Sequence, residues 1–373
     1  MSVTFDKVLF ITTVDLTIES GGTRYSKTVL NAFASKSKVK TLVLTNSQKH
    51  QDRRLRWFFA IAKSIFTGVP PNVLFHSGSL RADVKRLISE PWDVVVIDHM
   101  ESGYAMHGSL VKRCLYVSHN RESQLVVQKV PAAPKLLINL LSAWVEHYEK
   151  KLVKSVSGTI SISNVEADWY RLFSNHVEVV YPVFEVTAKR SNYIGDPGKL
   201  RLGFLGSAEW RPNAEGMDIL IKDILPSTNR KIELFVAGGA WNTKKIFSHT
   251  SRANSRNDVS INVLGYVSDI QKFWSSIDVF VAPILGGAGI NVKVCEAIAN
   301  GVPVLAFSHA VRGLSSRIIC SSRVHIVGTA KEFSEQLNQW PSFTVVDDLP
   351  SDFSSEFAIQ AVSNLLNSSL RNR

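Results

Sequence analysis

The residues that most clearly bear chemistry lie between Val279 and Leu305, VFVAPILGGAGINVKVCEAIANGVPVL. An apolar run ends at Pro283 and a glycine-rich turn follows, Gly286-Gly287-Ala288-Gly289. A helix pattern then starts near Ile290 and stops at Asn300-Gly301, with a new apolar run after Pro303. Glycines let the backbone approach a ligand closely. The first amides of a helix lack intrahelical acceptors and sit at the positive end of its dipole, so a diphosphate fits there. Lys293 and Glu296 are three residues apart and share one helix face. The lysine can neutralise phosphate, and the glutamate can accept hydrogen bonds from ribose hydroxyls. The same pattern also fits two solvated charges on an ordinary strand–turn–helix, because glycine-rich turns are common in such architecture.

Two more apolar runs end in acid–base groups. VVVIDHMES sets Asp98, His99 and Glu101 after one run, and LYVSHNRE sets His119 after another. A carboxylate or an imidazole in such a place can move a proton. A helix cap or surface charge is the simpler account of Asp98, His99 or Glu101 taken singly, and a turn histidine capping Arg121-Glu122 is the alternative for His119. No Asp-x-Asp occurs, so neither a metal bridging a diphosphate nor any other cofactor is expected. Cys114, Cys295 and Cys320 form no CxxC pair and read as reduced thiols of a cytosolic protein.

These groups need a scaffold, and the chain spells one out. Its 373 residues suggest two domains. In the first half, short runs rich in Val, Ile and Leu fall at Val8–Thr13, Val39–Thr45, Val94–Asp98, Leu115–Ser118, Gly158–Ile162 and Val177–Tyr181. A second series falls at Leu200–Leu205, Ile232–Ala237, Val259–Leu264, Val279–Ala282 and Val302–Ala306. Runs without strict alternation suit strands covered on both faces, hence parallel sheets. Helix patterns lie between them. The clearest, Lys135–Lys154, aligns Leu137, Leu141, Trp144, Tyr148 and Leu152 in one stripe, with Glu146, Lys150 and Lys151 facing away. The fold class is therefore α/β: two Rossmann-like lobes with parallel sheets facing a central cleft. The lobes span 1–185 and 199–350, joined by a polar linker at 186–198. A C-terminal helix in 351–373 can pack back across them.

Formal charge is +11, from 43 basic and 32 acidic residues, which implies an anionic partner. There is no basic start with a long apolar segment and no run of about 20 apolar residues, so a cytoplasmic protein is expected.

The segment around Lys293 resembles the donor-site signature of glycosyltransferase family 4, or group 1, enzymes of the GT-B fold. The matching positions are Pro283, Gly287, Gly289, Lys293, Glu296, Ala297, Ala299, Gly301, Pro303 and Val304. FLGSAEWRPNAEGMD (Phe204–Asp218) is similar to the same subgroup's Gly-Ser-x-x-Trp-x-Pro-Asn loop, which contains Ser207, Arg211 and Asn213. VLGYV, with Gly265, Tyr266 and Val267, resembles the loop that holds the nucleotide base through backbone groups. ESGGT, with Gly21 and Gly22, resembles the N-terminal loop near the donor phosphates, and VSHNRE resembles the His-Asn-x-Glu stretch of the N-terminal lobe.

The resemblance implies transfer of a sugar from a nucleotide-diphosphate donor to a glycan or lipid-linked saccharide, as in polysaccharide biosynthesis. Glu296 would contact the donor ribose, and Gly289, Ile290 and Asn291 would offer amides to the diphosphate. His119 would face the donor sugar or the acceptor hydroxyl, and Asp98 or Glu101 would serve as base in an inverting enzyme. Two departures stand out. The family's loop cations are replaced by Ser207 and Glu215, so Arg211 and Lys293 are the proposed substitutes. The first glutamate of the Glu-x7-Glu pair is replaced by Ala288. That loss keeps open a sugar-nucleotide epimerase and a non-catalytic glycosyltransferase-like partner subunit.

Lys49–Lys63, KHQDRRLRWFFAIAK, sets Arg53, Arg54, Arg56 and Lys63 beside Trp57, Phe58 and Phe59. On a helix it can rest on an anionic membrane and present an acceptor surface at the inner face of the cell membrane. It can equally pack its apolar face on the N-terminal sheet. No nucleic-acid module accompanies the charge, so nucleic acid is not an expected partner.

Overall fold

The computed structural model describes residues 5–18, 20–44, 53–75, 82–105, 113–129, 133–184, 198–241, 259–340 and 350–370. It forms two compact units, Met1–Val183 with Ser354–Arg373, and Phe184–Phe353. Apart from Gly198, the linker expected at 186–198 lies outside the described residues.

The first unit holds a six-stranded parallel sheet: β1 (Lys7–Thr12), β2 (Lys38–Val43), β3 (Val94–Asp98), β4 (Cys114–Ser118), β5 (Gly158–Ser161) and β6 (Val177–Val179). Their spatial order is β2-β1-β3-β4-β5-β6. Every residue of β3, β4 and β5 is buried, as their continuous apolar runs require. The helices are α1 (Gly21–Ala34), α2 (Arg53–Thr67), α3 (Pro71–Phe75), α4 (Ala82–Ile88), α5 (Glu122–Lys129), α6 (Lys135–Ser155) and α7 (Asn164–Arg171). Helix α1 starts where the Ser20 hydroxyl accepts the Thr23 amide at 3.1 Å, and buries Tyr25, Val29 and Phe33 at four-residue spacing.

The second unit repeats the plan with β7 (Leu200–Leu205), β8 (Ile232–Ala237), β9 (Val259–Gly265), β10 (Val279–Ala282), β11 (Val304–Phe307) and β12 (Val324–Val327). All are parallel, in the order β12-β11-β10-β7-β8-β9. Its helices are α8 (Arg211–Ile219), α9 (Ile270–Ser276), α10 (Val292–Ala299), α11 (Ser316–Ile319) and α12 (Ala330–Asn338). Strand β12, VHIV, escaped the sequence reading because its alternating burial leaves too short an apolar run.

The last helix, α13 (Ser355–Leu370), packs on α1, β5 and β6 of the first unit. Leu365 presses on β5 where a Cβ at Gly158 would lie 2.8 Å from its Cδ1, so a larger residue there would push Leu365 aside.

In open parallel sheets, ligands bind beyond the carboxyl ends of the strands where the order reverses. In the first unit that point lies between β1 and β3, at Thr12 and Asp98. In the second it lies between β7 and β10, at the loops beginning with Gly206 and Pro283.

Candidate active site

The second unit's switch point holds a cavity of about 180 Å³, lined by Trp210, Asn213, the turn Gly286–Asn291 and His309 among others. Gly287 and Gly289 have φ of 124° and 73°, left-handed values that favour glycine. Helix α10 follows at once. Its capping residue Asn291 makes no side-chain cap bond, and no acid stands in its first turn. The amides at this end are therefore not taken by a side-chain cap, and the dipole is not countered from its own first turn.

Two residues that sequence reasoning missed brace the turn. His309 lies with Nε2 2.9 Å from the Gly287 carbonyl, and Arg312 donates to the Gly289 carbonyl at 3.3 Å. Both follow β11, and tying these carbonyls back favours amides on the ligand side. The signal was their place beyond a strand's carboxyl end, the same sheet edge as the glycine turn.

Lys293 on α10 contacts the Asn213 side-chain oxygen, while the Asn213 amide donates to the Ser207 carbonyl at 2.8 Å. Burial pushes the Lys293 ammonium down to about 8. Glu296, one turn on, is buried. Arg211 is exposed and pairs with Glu215 at 2.7 Å, so of the two proposed cations only Lys293 reaches a residue lining the cavity. Gly206 and Gly238 bring two loops into backbone contact, a Cβ at Gly238 falling 2.1 Å from the Gly206 oxygen. The Gly238 amide then bonds the Gly265 carbonyl at 2.7 Å, fixing the loop of Gly265, exposed Tyr266 and half-buried Val267.

In the first unit, Asp98 is fully buried. One oxygen accepts from the Thr12 and Ser26 hydroxyls, both at 2.7 Å; the other is 2.7 Å from His119 Nε2. Burial pushes the Asp98 carboxyl up, but the charges of His119 and His99 and the bonds from His119 and Ser26 outweigh it and hold the group well below the usual carboxylate range. A carboxylate closed off by three donors offers a poor lone pair to a substrate proton, which weighs against Asp98 as a base. It orients His119 instead, leaving Nδ1 as the second nitrogen of that ring.

His99 stacks on His119 with ring centroids 3.5 Å apart and has φ of 68°, rare for a residue with a side chain. Burial, then the nearby His119, lowers its pKa. Asp98, His99 and His119 offer three ligand atoms within 4.8 Å of one another. The rings are nearly parallel, at 18°, so their in-plane lone pairs do not converge on one ion.

Gly21 and Gly22 form the first turn of α1, where a loop had been expected; a Cβ at Gly22 would lie 3.9 Å from His119 Nδ1. Glu19 lies outside the described residues. Glu101 accepts from Asn72 at 3.0 Å.

The basic helix α2 does not pack its apolar face on the sheet. Leu55, Phe58, Phe59, Ile61, Ile65 and Phe66 are exposed, Phe66 by 89%. Trp57 stacks on Phe75 and Arg56 donates to the Phe75 carbonyl, both turning inward, whereas Lys63 is exposed. The side chains of Arg53 and Arg54 lie outside the described residues. Along the stripe on α6, Leu152 is buried, Leu141, Trp144 and Tyr148 are half-buried and Leu137 is exposed, as are Leu136 and Leu140 beside it. Nor does Glu146 simply face solvent, since it pairs with Arg121 and Lys150.

Residues 199–340 match the family model for Glycosyl transferases group 1, and the second unit is such a domain. Solved structures resemble the whole chain. HepE of Anabaena, in complex with UDP, is 14% identical with a TM-score of 0.62, over 97% of this chain and 100% of that one. The lipopolysaccharide outer core galactosyltransferase WaaB is 12% identical with a TM-score of 0.61, over 98% and 100%. WaaG, a glycosyltransferase involved in lipopolysaccharide biosynthesis, is 14% identical with a TM-score of 0.57, over 96% and 95%. No curated sequence matches. The family match of residues 199–340 and the fold of the whole chain give the class: a glycosyltransferase with the GT-B fold.

Proposed function

We propose that this enzyme transfers a sugar from a nucleotide-diphosphate donor to a glycan or lipid-linked saccharide without a metal bridging the diphosphate. The observation that carries the reading is the braced glycine turn opening onto the uncapped end of α10, with a half-buried lysine and a buried glutamate on that helix. Amides of Gly289, Ile290 and Asn291 take the diphosphate, Lys293 adds charge, Glu296 binds the ribose, and the Gly265–Val267 loop receives the base. Together they stabilise the leaving nucleotide. His119, oriented by Asp98, is the group assigned to the reacting sugars. UDP is the first donor nucleotide to try, because HepE is in complex with it.

The exposed apolar residues of α2 and α6 support docking on an anionic membrane, the place of a lipid-linked acceptor. The Trp144 indole of α6 donates to the Gly68 carbonyl just after α2 at 2.8 Å, joining the two helices. Among the described residues no helix is long and apolar enough to cross a membrane. We assign the protein to the cytoplasmic face. The test is nucleotide release from a UDP-sugar with and without a lipid-linked saccharide, in EDTA. Acceptor-dependent release supports transfer; acceptor-independent conversion of the sugar would favour an epimerase, and no release in EDTA would refute metal independence.

A further inference from the structure

Helix α6 carries two acids three residues apart, and both reach the loop that holds His119. Glu146 pairs with Arg121 at 2.7 Å, and the Arg121 guanidinium lies over Trp169 at 4.2 Å. Glu149 is fully buried. Its Oε1 accepts the Glu122 amide at 3.1 Å and lies 2.9 Å from the Tyr170 hydroxyl, whereas its Oε2 is buried without a partner. The Tyr170 hydroxyl is also 2.5 Å from Ser118 Oγ, which donates to the Asn120 carbonyl at 2.9 Å. Asn120 is the neighbour of His119.

Proton counting gives this chain a meaning. Three contacts, Glu149–Tyr170, Tyr170–Ser118 and Ser118–Asn120, each need a proton between two oxygens, and a longer one runs from the Tyr170 hydroxyl to the Asn120 carbonyl at 3.3 Å. The two hydroxyls supply two. A carboxyl proton on Glu149 supplies the third and completes the relay to the Asn120 carbonyl. When Glu149 ionises, Tyr170 turns its proton to the carboxylate, and the Ser118 proton can then serve only one of the Tyr170–Ser118 and Ser118–Asn120 contacts.

We propose that Glu149 is the positioning residue of the His119 loop, and that its carboxyl proton holds Ser118 and Asn120 in the register that presents His119. Burial supports the protonated form, raising the Glu149 pKa to about 7. The groups facing it are Glu122 on α5, Tyr116 on β4 and Tyr170 on α7, with Lys150 and the Arg121–Glu146 pair at the flank. Both tyrosines are pushed far above their ordinary range, first by burial, and stay neutral.

The proposal rests on the reading of His119 as a group of the reaction, so its test reads the loop both without and with turnover. Amide exchange over residues 120–123, corrected for the intrinsic pH dependence, is compared in the parent, Glu149→Gln and Glu149→Leu. The glutamine cannot ionise, and its carbonyl oxygen at the Oε1 position accepts from both the Glu122 amide and the Tyr170 hydroxyl, the bonding pattern of the ionised form. Parent exchange should rise through pH 7 toward the level of the Gln variant, which should stay flat from pH 6 to 8.5, and the Leu variant should be unprotected throughout. With UDP-glucose and UDP-galactose as probes at saturation, kcat of the parent should fall through pH 7 on the alkaline side. The Gln variant should lose that limb with donor KM within about twofold, and the Leu variant should lose roughly tenfold or more in kcat at every pH. Unchanged exchange in the Gln variant overturns the proposal outright. Altered exchange with the alkaline limb intact shows that Glu149 sets the loop but refutes its link to transfer. His119→Gln at the parental rate would instead refute the assignment of His119, separately from Glu149.

Discussion

If Lys293 meets the donor diphosphate, nucleotide binding must draw a proton from solution. Burial lowers this ammonium from its ordinary 10.5 to about 8, a cost of about 3 kcal/mol to the charged form. A dianionic neighbour favours the charged form and restores the lost affinity for the proton. At pH 8 the free protein is about half charged at Lys293, so binding should take up about half a proton per nucleotide. Near pH 6.5 uptake at this lysine should vanish, because it is already charged. The nucleotide's own terminal phosphate, with a second pKa near 6, is ionised at pH 8 and contributes little. Calorimetric titration with UDP in two buffers of different ionisation enthalpy reads this number directly. Lys293→Met should bind more weakly and show no uptake at pH 8. Zero uptake by the parent, or equal uptake by the Met variant, would refute the reasoning and leave Lys293 as a strut for Asn213.

Asp98→Asn should cost about 3 kcal/mol near neutral pH, because a carboxylate with three donors becomes an amide. Its folded pKa lies below the ordinary 3.8, so its stability is present above that value and lost as pH falls further. Melting curves should therefore show the gap between parent and variant closing in acid. Glu149 runs the other way: with a folded pKa near 7 against an ordinary 4.5, its contribution is complete below 4.5 and lost as pH rises through 7. Between pH 5 and 8.5 the parent's melting temperature should drop relative to Glu149→Gln. Gly238→Ala should destabilise by about 3 kcal/mol in denaturant titration, since it combines a φ of 119° with a Cβ 2.1 Å from a carbonyl oxygen. Serine at Phe58, Phe59 and Phe66 should abolish sedimentation with anionic vesicles at low salt while leaving the melting temperature within a few degrees; retained binding would sink the membrane reading.

Much of this protein was legible in its sequence because the informative features are local. Buried parallel strands write themselves as unbroken Val, Ile and Leu runs, and a turn with glycines before a helix states its own geometry. Asn213 and Gly287–Asn291, which the sequence assigns to a donor, line one cavity, although Arg211 turns outward to Glu215. What stayed hidden depends on distant partners. Nothing in SHAVRG says that His309 and Arg312 will hold carbonyls 22 and 23 residues earlier. Asp98 looks like any strand-end acid until Thr12, Ser26 and His119 surround it. Glu149 sits on a charged helix flank and reads as solvated, yet α5 and α7 close over it. The apolar face of α2 reads alike for a core and for a membrane, because periodicity reports amphipathicity and not what covers it.

The donor site on the second unit is the centre of the account, and thermal unfolding of the parent and Glu296→Ala with UDP, GDP, ADP, dTDP and CMP tests it most directly. Ligand at a hundred times its dissociation constant adds about 2.7 kcal/mol to the folded state, enough to raise the melting temperature measurably. The account predicts that one nucleotide, with UDP the first candidate, stabilises the parent and fails to stabilise the variant at the same concentration. No shift with any nucleotide, or an equal shift in both proteins, would contradict it.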